Sequence, residues 1–437
     1  MSSTTGVWPP PNLASPPVKP PDTHSLGEHA ERVSEASLQP YFARLSEQPD
    51  ASLALNVHLP FCPSRCLSCD RIAVVQHQPN ELEHYVANLA LELARTAALL
   101  GERRTLARVH FGGGSPNHLS ELALATVFSH ISEHFGVDDS TQFSMELNPR
   151  RTSRAQLNFL KGLGIEHIKL EVRDVDANVQ REIGRIHSLE LLEDVISIAH
   201  GVNFESIGMD YLIGLPGQTM DSCEQSMEAI LSLAPDWLVC LPFHRRESLF
   251  PHQIAVHSEH LPSLADRMVM FNQVQMDFTE SGYEWVGLNV FAKPDHPLAV
   301  AQREGTLALN VLGYGVADLA VLGIGLGALG ELPGLVTQNE TRLSAWHNQV
   351  ETGVLSVASA IRSDDSDTLQ RMVMRNLMCR QSISVDSLTE SQREKWILPL
   401  TGQGYAEEVA GLYRLTELGL TVLPHVWTDS SPAFRAF

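Results

Sequence analysis

The hydrophobic period of this chain switches repeatedly between about residues 52 and 241, and that alternation limits its fold more than any other feature. Short β-type runs at Leu53–His58, Leu106–Phe111, Gln142–Leu147, Ile165–Glu171, Ser206–Ile213 and Asp236–Leu241 alternate with amphipathic stretches. The stretches are Glu81–Leu100, Leu119–Phe135, Ser153–Leu163, Asn178–Ile183, Ser188–His200 and Met220–Leu233. Six β-then-α units in a row imply an α/β fold with a parallel sheet, either curled into a full or partial barrel or laid out doubly wound.

The residues able to do chemistry cluster at or just after the strand ends. Three cysteines follow the first run, Gly112-Gly113-Gly114 follows the second, Glu146 ends the third, Arg173 follows the fourth and Asp210 lies within the fifth. In a parallel α/β barrel that C-terminal rim is where a site is assembled.

Around this core the chain divides into a proline-rich tail and N-terminal helical segment (1–50), the barrel core (51–250), an extension carrying substrate-site segments (251–360) and a small, mainly helical C-terminal domain (361–437). Seven prolines within residues 1–22 disfavour helix there. The last segment shows a helical pattern near Asp367–Cys379 and a Leu412–Leu423 tail like that of a winged-helix unit.

The formal charge of -21 and the lack of a basic run argue against a nucleic-acid partner. No apolar run is long enough to span a bilayer and residues 1–26 lack a secretory core, so a cytoplasmic protein without a membrane span is expected. Cys223, Cys240 and Cys379 stand alone, while Cys62, Cys66 and Cys69 fall within eight residues, a clustering that in a reducing compartment points to metal.

Cys62-Pro-Ser-Arg-Cys66-Leu-Ser-Cys69 puts three thiolates on one loop, each able to bind a different iron of one cubane and leaving the fourth iron open to a chelating ligand. A zinc site completed by His58 or His77 is the competing reading, although zinc sites favour paired C-x2-C units. The Gly112–Gly114 run permits close backbone approach to a ligand's amino and carboxylate ends, but a plain turn would use the same residues. A carboxylate such as Glu146 suits an ammonium or ribose hydroxyls, and an arginine suits a carboxylate. Glu146, Arg173, Arg185 and Asp210 could also be structural charges. Gly325-Leu326-Gly327-Ala328-Leu329-Gly330 matches G-x-G-x-x-G, yet no βαβ unit surrounds it and a nicotinamide site is not expected there.

The C-x3-C-x2-C loop resembles that of the radical S-adenosylmethionine superfamily. A closer resemblance, running from residue 51 to about residue 420, is to the oxygen-independent coproporphyrinogen III oxidase family. It is carried by Val57-His58-Leu59-Pro60-Phe61-Cys62, Gly112–Pro116, Glu146-Leu147-Asn148-Pro149-Arg150, Asp210–Pro216, Phe291-Ala292-Lys293-Pro294 and Ala299–Gly305. The resemblance implies a partial parallel (β/α)6 barrel with a winged-helix-like C-terminal domain. It implies a [4Fe-4S] cluster on Cys62, Cys66 and Cys69, and S-adenosyl-L-methionine at Gly113, Gly114, Glu146, Arg173, Arg185 and Asp210. The implied reaction is decarboxylation of porphyrinogen propionates to vinyl groups in porphyrin and heme biosynthesis. A reducing protein such as a flavodoxin or ferredoxin would be the electron donor, and a monomer is expected.

Several positions depart from the family pattern: Arg71 stands where a fourth, non-ligating cysteine is usual, Ser68 for an aromatic, Asn56 for a tyrosine and Arg173 for a glutamine. The proline tail replaces the family's N-terminal segment. Two other readings therefore stay open, a radical enzyme with another substrate and a heme-binding chaperone relative. Arg71, Arg245, Arg246, Lys293 and Arg303 are the candidate anchors for substrate carboxylates.

Overall fold

In the computed structural model, residues 31–48, 51–75, 78–102, 104–362 and 365–427 are described. The proline tail and His77 lie outside them. Six strands, β1 (Leu53–Leu59), β2 (Leu106–Gly113), β3 (Gln142–Leu147), β4 (Ile165–Arg173), β5 (Ser206–Ile213) and β6 (Trp237–Pro242), pair side by side in chain order. Every one of these pairings is parallel. Between them run α1 (Pro79–Leu99), α2 (Glu121–His134), α3 (Arg154–Gly162), α4 (Ala177–Glu182), α5 (Leu189–Gly201) and α6 (Met220–Leu233). The expected α/β barrel core is present.

The loops set where these helices begin. Ser120, Ser153, Ser188 and Thr219 sit at the N-caps of α2, α3, α5 and α6, each accepting a hydrogen bond from a backbone N–H of the first turn. Alternation then divides each strand between two faces. Leu55, Val57, Val109, Phe111, Met145, Leu147, Ile168 and Leu170 join the apolar cluster that includes Leu89 and Leu93 of α1 and Leu124 and Val127 of α2. Burying such a side chain contributes ~1.5–3 kcal/mol, so this face holds the layers together. The opposite face carries polar residues in register, with Asn56 beside His110, His110 beside Ser144, and Glu146 beside Lys169.

The sheet does not stop at six strands. Ala320–Ile324 pairs parallel with β1 on its far side, and Leu329–Leu332, Leu335–Asn339, Val357–Arg362 and Glu31–Arg32 continue that edge antiparallel. Val290–Ala292 and Glu284–Val286 extend the β6 side, giving thirteen strands among the described residues. Much of the 251–360 extension is thus part of the sheet. Alternation is weak there because the strands are three to five residues long.

The C-terminal segment combines the helix Asp365–Arg380, a three-stranded antiparallel sheet (Ser382–Ser384, Leu412–Leu415, Ala406–Val409) and the helix Glu417–Trp427, in keeping with a winged-helix-like unit. Its Leu377, Trp396, Leu400 and Leu423 share an apolar cluster with Val239 and Leu241 of β6. No helix among the described residues is long and apolar enough to cross a membrane.

Candidate active site at the strand ends

The cysteine loop leaves β1 and is held from three sides. Gly114 N–H donates to Leu59 O (2.9 Å) and Ser115 N–H to Phe61 O (3.0 Å), tying the loop to the end of β2. Leu67 N–H donates to Ile183 O (2.8 Å) at the end of α4. From the segment after β6, His252 Nε2 and Gln253 Nε2 both donate to Cys69 O, at 2.7 and 3.0 Å. The glycines allow the first contact. A Cβ on Gly114 would lie 2.4 Å from Pro60 O, and Gly113 adopts φ +122 against the His58 ring.

Cys62, Cys66 and Cys69 are free, and all line one cavity with Arg65, Gly113, Gly114, Ser115, Asn148, Arg150, Glu171, Arg173 and Arg185. Burial pushes the Cys62 thiol up to about 12 and the Cys69 thiol to about 11. Arg185 Nη1 lies 3.5 Å from Cys66 Sγ, and Arg150 lines the same cavity. Three sulfurs facing a cation-rich wall fit an anionic tris-thiolate iron–sulfur group. The described lining holds no further cysteine or histidine. His58 does not line it, and its Nε2 donates to Ile72 O at 2.9 Å.

Beside the cysteines lies a buried charge array built on β3, β4 and β5. Glu146, 1% exposed, pairs with Arg71 and with Lys169 Nζ at 2.7 Å. Glu171 Oε1 lies 2.9 Å from both Arg71 Nη1 and Arg173 Nη2. Arg185 donates through Nη2 to Glu171 O at 2.6 Å. Asp210, fully buried, accepts from the Arg173 N–H at 3.0 Å and pairs with the Arg173 guanidinium at 3.0 Å. Arg173 has φ +72, and the β4–β5 register shifts between Leu170 and Arg173. A bulge with one strained residue beside a cavity re-aims side chains that a regular strand would turn away.

Burial works to raise the Glu146 pKa, but Arg71 first, and Lys169 and His110 after it, hold the carboxyl well below the usual range. His58 and His110 face the other way: burial lowers them to about 4 and about 3, so both are neutral near pH 7.

A second cavity of about 390 Å³ adjoins the first and is lined by Asn56, His58, Arg71, His110, Glu146, Phe250, Asn339 and Glu340 among others. Asp70, Arg71 and Gly113 line both cavities. The structure brings Gly113, Gly114, Glu146, Arg173 and Arg185 to these two spaces. Asp210 lines neither and reaches them through Arg173.

The expected carboxylate anchors fare differently. Lys293 pairs with Asp236 at 2.9 Å, at the N-terminal end of β6 and so at the opposite end of the sheet, and the exposed Arg303 pairs with the half-buried Glu284 and with Pro294 O. Arg245 pairs with Glu247, and the Arg246 N–H donates to Gln253 Oε1; neither arginine lines the second cavity. None of these four residues lines either cavity. Arg71 lines the cavity but is engaged by Glu146 and Glu171.

Sequence reasoning passed over Lys169, Glu171, Arg150, His252 and Gln253. A signal existed for the first two: charges at i and i+2, alternating with Ile168, Leu170 and Val172 in a parallel strand, share one face and ask for a buried partner.

The sequence profile of the Radical SAM superfamily matches residues 56–230. The oxygen-independent coproporphyrinogen III oxidase of Bradyrhizobium diazoefficiens is 30% identical over 350 residues, covering 80% of this chain and 78% of that protein. That of Pseudomonas aeruginosa is 28% identical, covering 79% and 76%. The solved structure of the radical SAM enzyme coproporphyrinogen III oxidase from Escherichia coli superposes with a TM-score of 0.84 at 25% identity, over 94% of this chain and 96% of that one. On this agreement of sequence, length and fold, the chain belongs to the oxygen-independent coproporphyrinogen III oxidase family.

Proposed function

We propose that this chain decarboxylates two propionates of coproporphyrinogen III to vinyl groups, giving protoporphyrinogen IX in anaerobic heme biosynthesis. The observation that carries the reading is the meeting of three free cysteines with the Glu146, Glu171 and Arg185 array on one strand-end rim, in a chain of this family. When bound, a [4Fe-4S] cluster and S-adenosylmethionine supply the radical that takes a hydrogen from the propionate side chain.

The chain's own residues provide the setting. Cys62, Cys66 and Cys69 hold three irons, and Arg185 and Arg150 balance the charge at Cys66. Gly113 and Gly114 offer backbone without side-chain bulk, and Glu146, kept ionised, receives the cofactor's ammonium. Arg173 and Asp210 act as one unit, with the aspartate fixing the arginine at the cavity wall. His58 and His110, buried and neutral, keep the floor of the second cavity from adding charge. We place the enzyme in the cytoplasm as a monomer reduced by a flavodoxin or ferredoxin.

The test is an anaerobic assay of the reconstituted, reduced protein with coproporphyrinogen III, expected to release two CO2 per molecule. The shortage of basic groups around the second cavity favours one rival, a radical enzyme acting on a less acidic substrate. Deoxyadenosine formed without CO2 would select that rival.

A further inference from the structure

The Arg71 guanidinium occupies a finished cation site. It contacts Glu146, lies 2.9 Å from Glu171 Oε1 and donates to Gly113 O at 3.3 Å, so two buried carboxylates and a backbone carbonyl converge on it. An α-ammonium group would take the same three acceptors. The seat also suits Arg71 imperfectly, because its buried Nε has no hydrogen-bond partner. Neither carboxylate depends on Arg71 alone: Lys169 stays with Glu146 at 2.7 Å, and Arg173 stays with Glu171 at 2.9 Å.

Arg71 is also part of the wall between the two cavities. Among the described residues lining the larger one, it is the sole arginine or lysine, and the acids there are Asp70, Glu146 and Glu340. A carboxylate entering that space in the present arrangement would meet acids and a cation already committed elsewhere. Burying a carboxylate without a partner is costly.

We propose that Arg71 is a transferable cation that couples the two cavities. S-adenosylmethionine places its ammonium on Glu146, Glu171 and Gly113 O; Arg71, displaced, turns into the larger cavity and pairs with a carboxylate of the substrate. One cation replaces another on the acid pair, so the charge of the array is unchanged. The inference rests on the reading of this site as the S-adenosylmethionine site, and it makes the two ligands bind cooperatively. Because linkage is reciprocal, each must raise the other's affinity by the same factor.

The experiment uses cluster-reconstituted, unreduced protein, so that nothing turns over. Calorimetry measures S-adenosylmethionine binding, and fluorescence quenching measures binding of coproporphyrin III, the oxidised tetracarboxylate, each with and without the other ligand. Wild type should show mutual enhancement of about 5- to 150-fold, the usual span of such coupling. Etioporphyrin, which has no carboxylates, should show none. Arg71→Ala should bind S-adenosylmethionine more tightly and coproporphyrin more weakly, with the coupling abolished; Arg71→Gln, closer in bulk, repeats the test if the alanine variant is unstable. Coupling that survives in these variants, or equal enhancement with etioporphyrin, overturns the proposal while leaving the cofactor site in place. Failure of cluster-loaded wild type and Arg71→Ala alike to bind S-adenosylmethionine overturns the underlying reading and the proposal together.

Discussion

Glu146 at the strand ends and Glu92 on α1 are both almost completely buried, at 1% and 3% exposure, yet their surroundings drive them in opposite directions. Glu146 meets cations, Arg71 and Lys169, and is held ionised. Glu92 meets neutral donors: the Gly325 N–H at 2.8 Å, Asn339 Nδ2 at 2.8 Å, Trp346 Nε1 at 3.2 Å and the Ser356 hydroxyl. Burial raises Glu92 to about 7, and these hydrogen bonds only partly oppose it. Burial alone therefore does not mark a functional acid. The kind of partner does, because a neutral donor can satisfy a carboxyl in either protonation state while a buried cation requires the anion.

The comparison also explains the G-x-G-x-x-G stretch. Glu92 pins its first glycine to α1, and the glycines are there for close packing: a Cβ on Gly325 would lie 2.5 Å from Tyr85 Oη, and one on Gly327 2.5 Å from Ile72. Through Asn339, which also lines the larger cavity, this neutral latch braces the wall facing the charged array.

The sharpest separation of the two regions comes from Cys66→Ala. Iron loading after anaerobic reconstitution should fall from about four per chain to almost none, while the Glu92 latch and the folded spectrum remain. A variant that still held a stable cubane would remove Cys66 from the ligand set.

The converse is Glu92→Ala, which strands several buried donors and should cost about 3–5 kcal/mol of unfolding free energy. Folded protein should still load iron. A loss under about 1 kcal/mol would mean that the latch is not a latch.

The two acids should next differ in their response to pH. Glu92, raised from 4.5 to about 7 on folding, contributes stability that is complete below pH 4.5 and lost as pH rises through 7. Glu146, lowered on folding, contributes stability that is present above pH 4.5 and lost as pH falls below it. Denaturant unfolding of wild type and Glu92→Gln should show wild type's relative advantage shrinking by about 2–3 kcal/mol between pH 5 and pH 8. A constant difference would show that Glu92 stays ionised in the fold across this range.

The smallest effect is expected at Arg303, an exposed side chain whose partner Glu284 is half-buried. Arg303→Ala should change stability by no more than about 0.5 kcal/mol and leave turnover of the porphyrinogen unaltered. A large loss of activity would reinstate it as a substrate anchor.

The parallel core was legible because each strand and helix is long enough to show its period. Gln142–Leu147, Ser206–Ile213 and Met220–Leu233 have the ends that periodicity assigned them. The antiparallel flank was not legible. Leu329–Leu332 and Leu335–Asn339 pair with each other, and runs of four and five residues offer too little alternation to show a period.

At the site the same division holds. By itself the sequence determined the C-x3-C-x2-C loop and the Gly112–Gly114 turn, because spacing along a short loop already limits which thiols and backbone groups can share a space. The charge array was decided only by the tertiary structure. Arg71 could be recognised as a departure, but its partners Glu146 and Glu171 lie 75 and 100 positions further along the chain, and parallel pairing of β3 with β4 is what sets them together. Charge partners depend on which strands become neighbours, and local spacing carries no record of that.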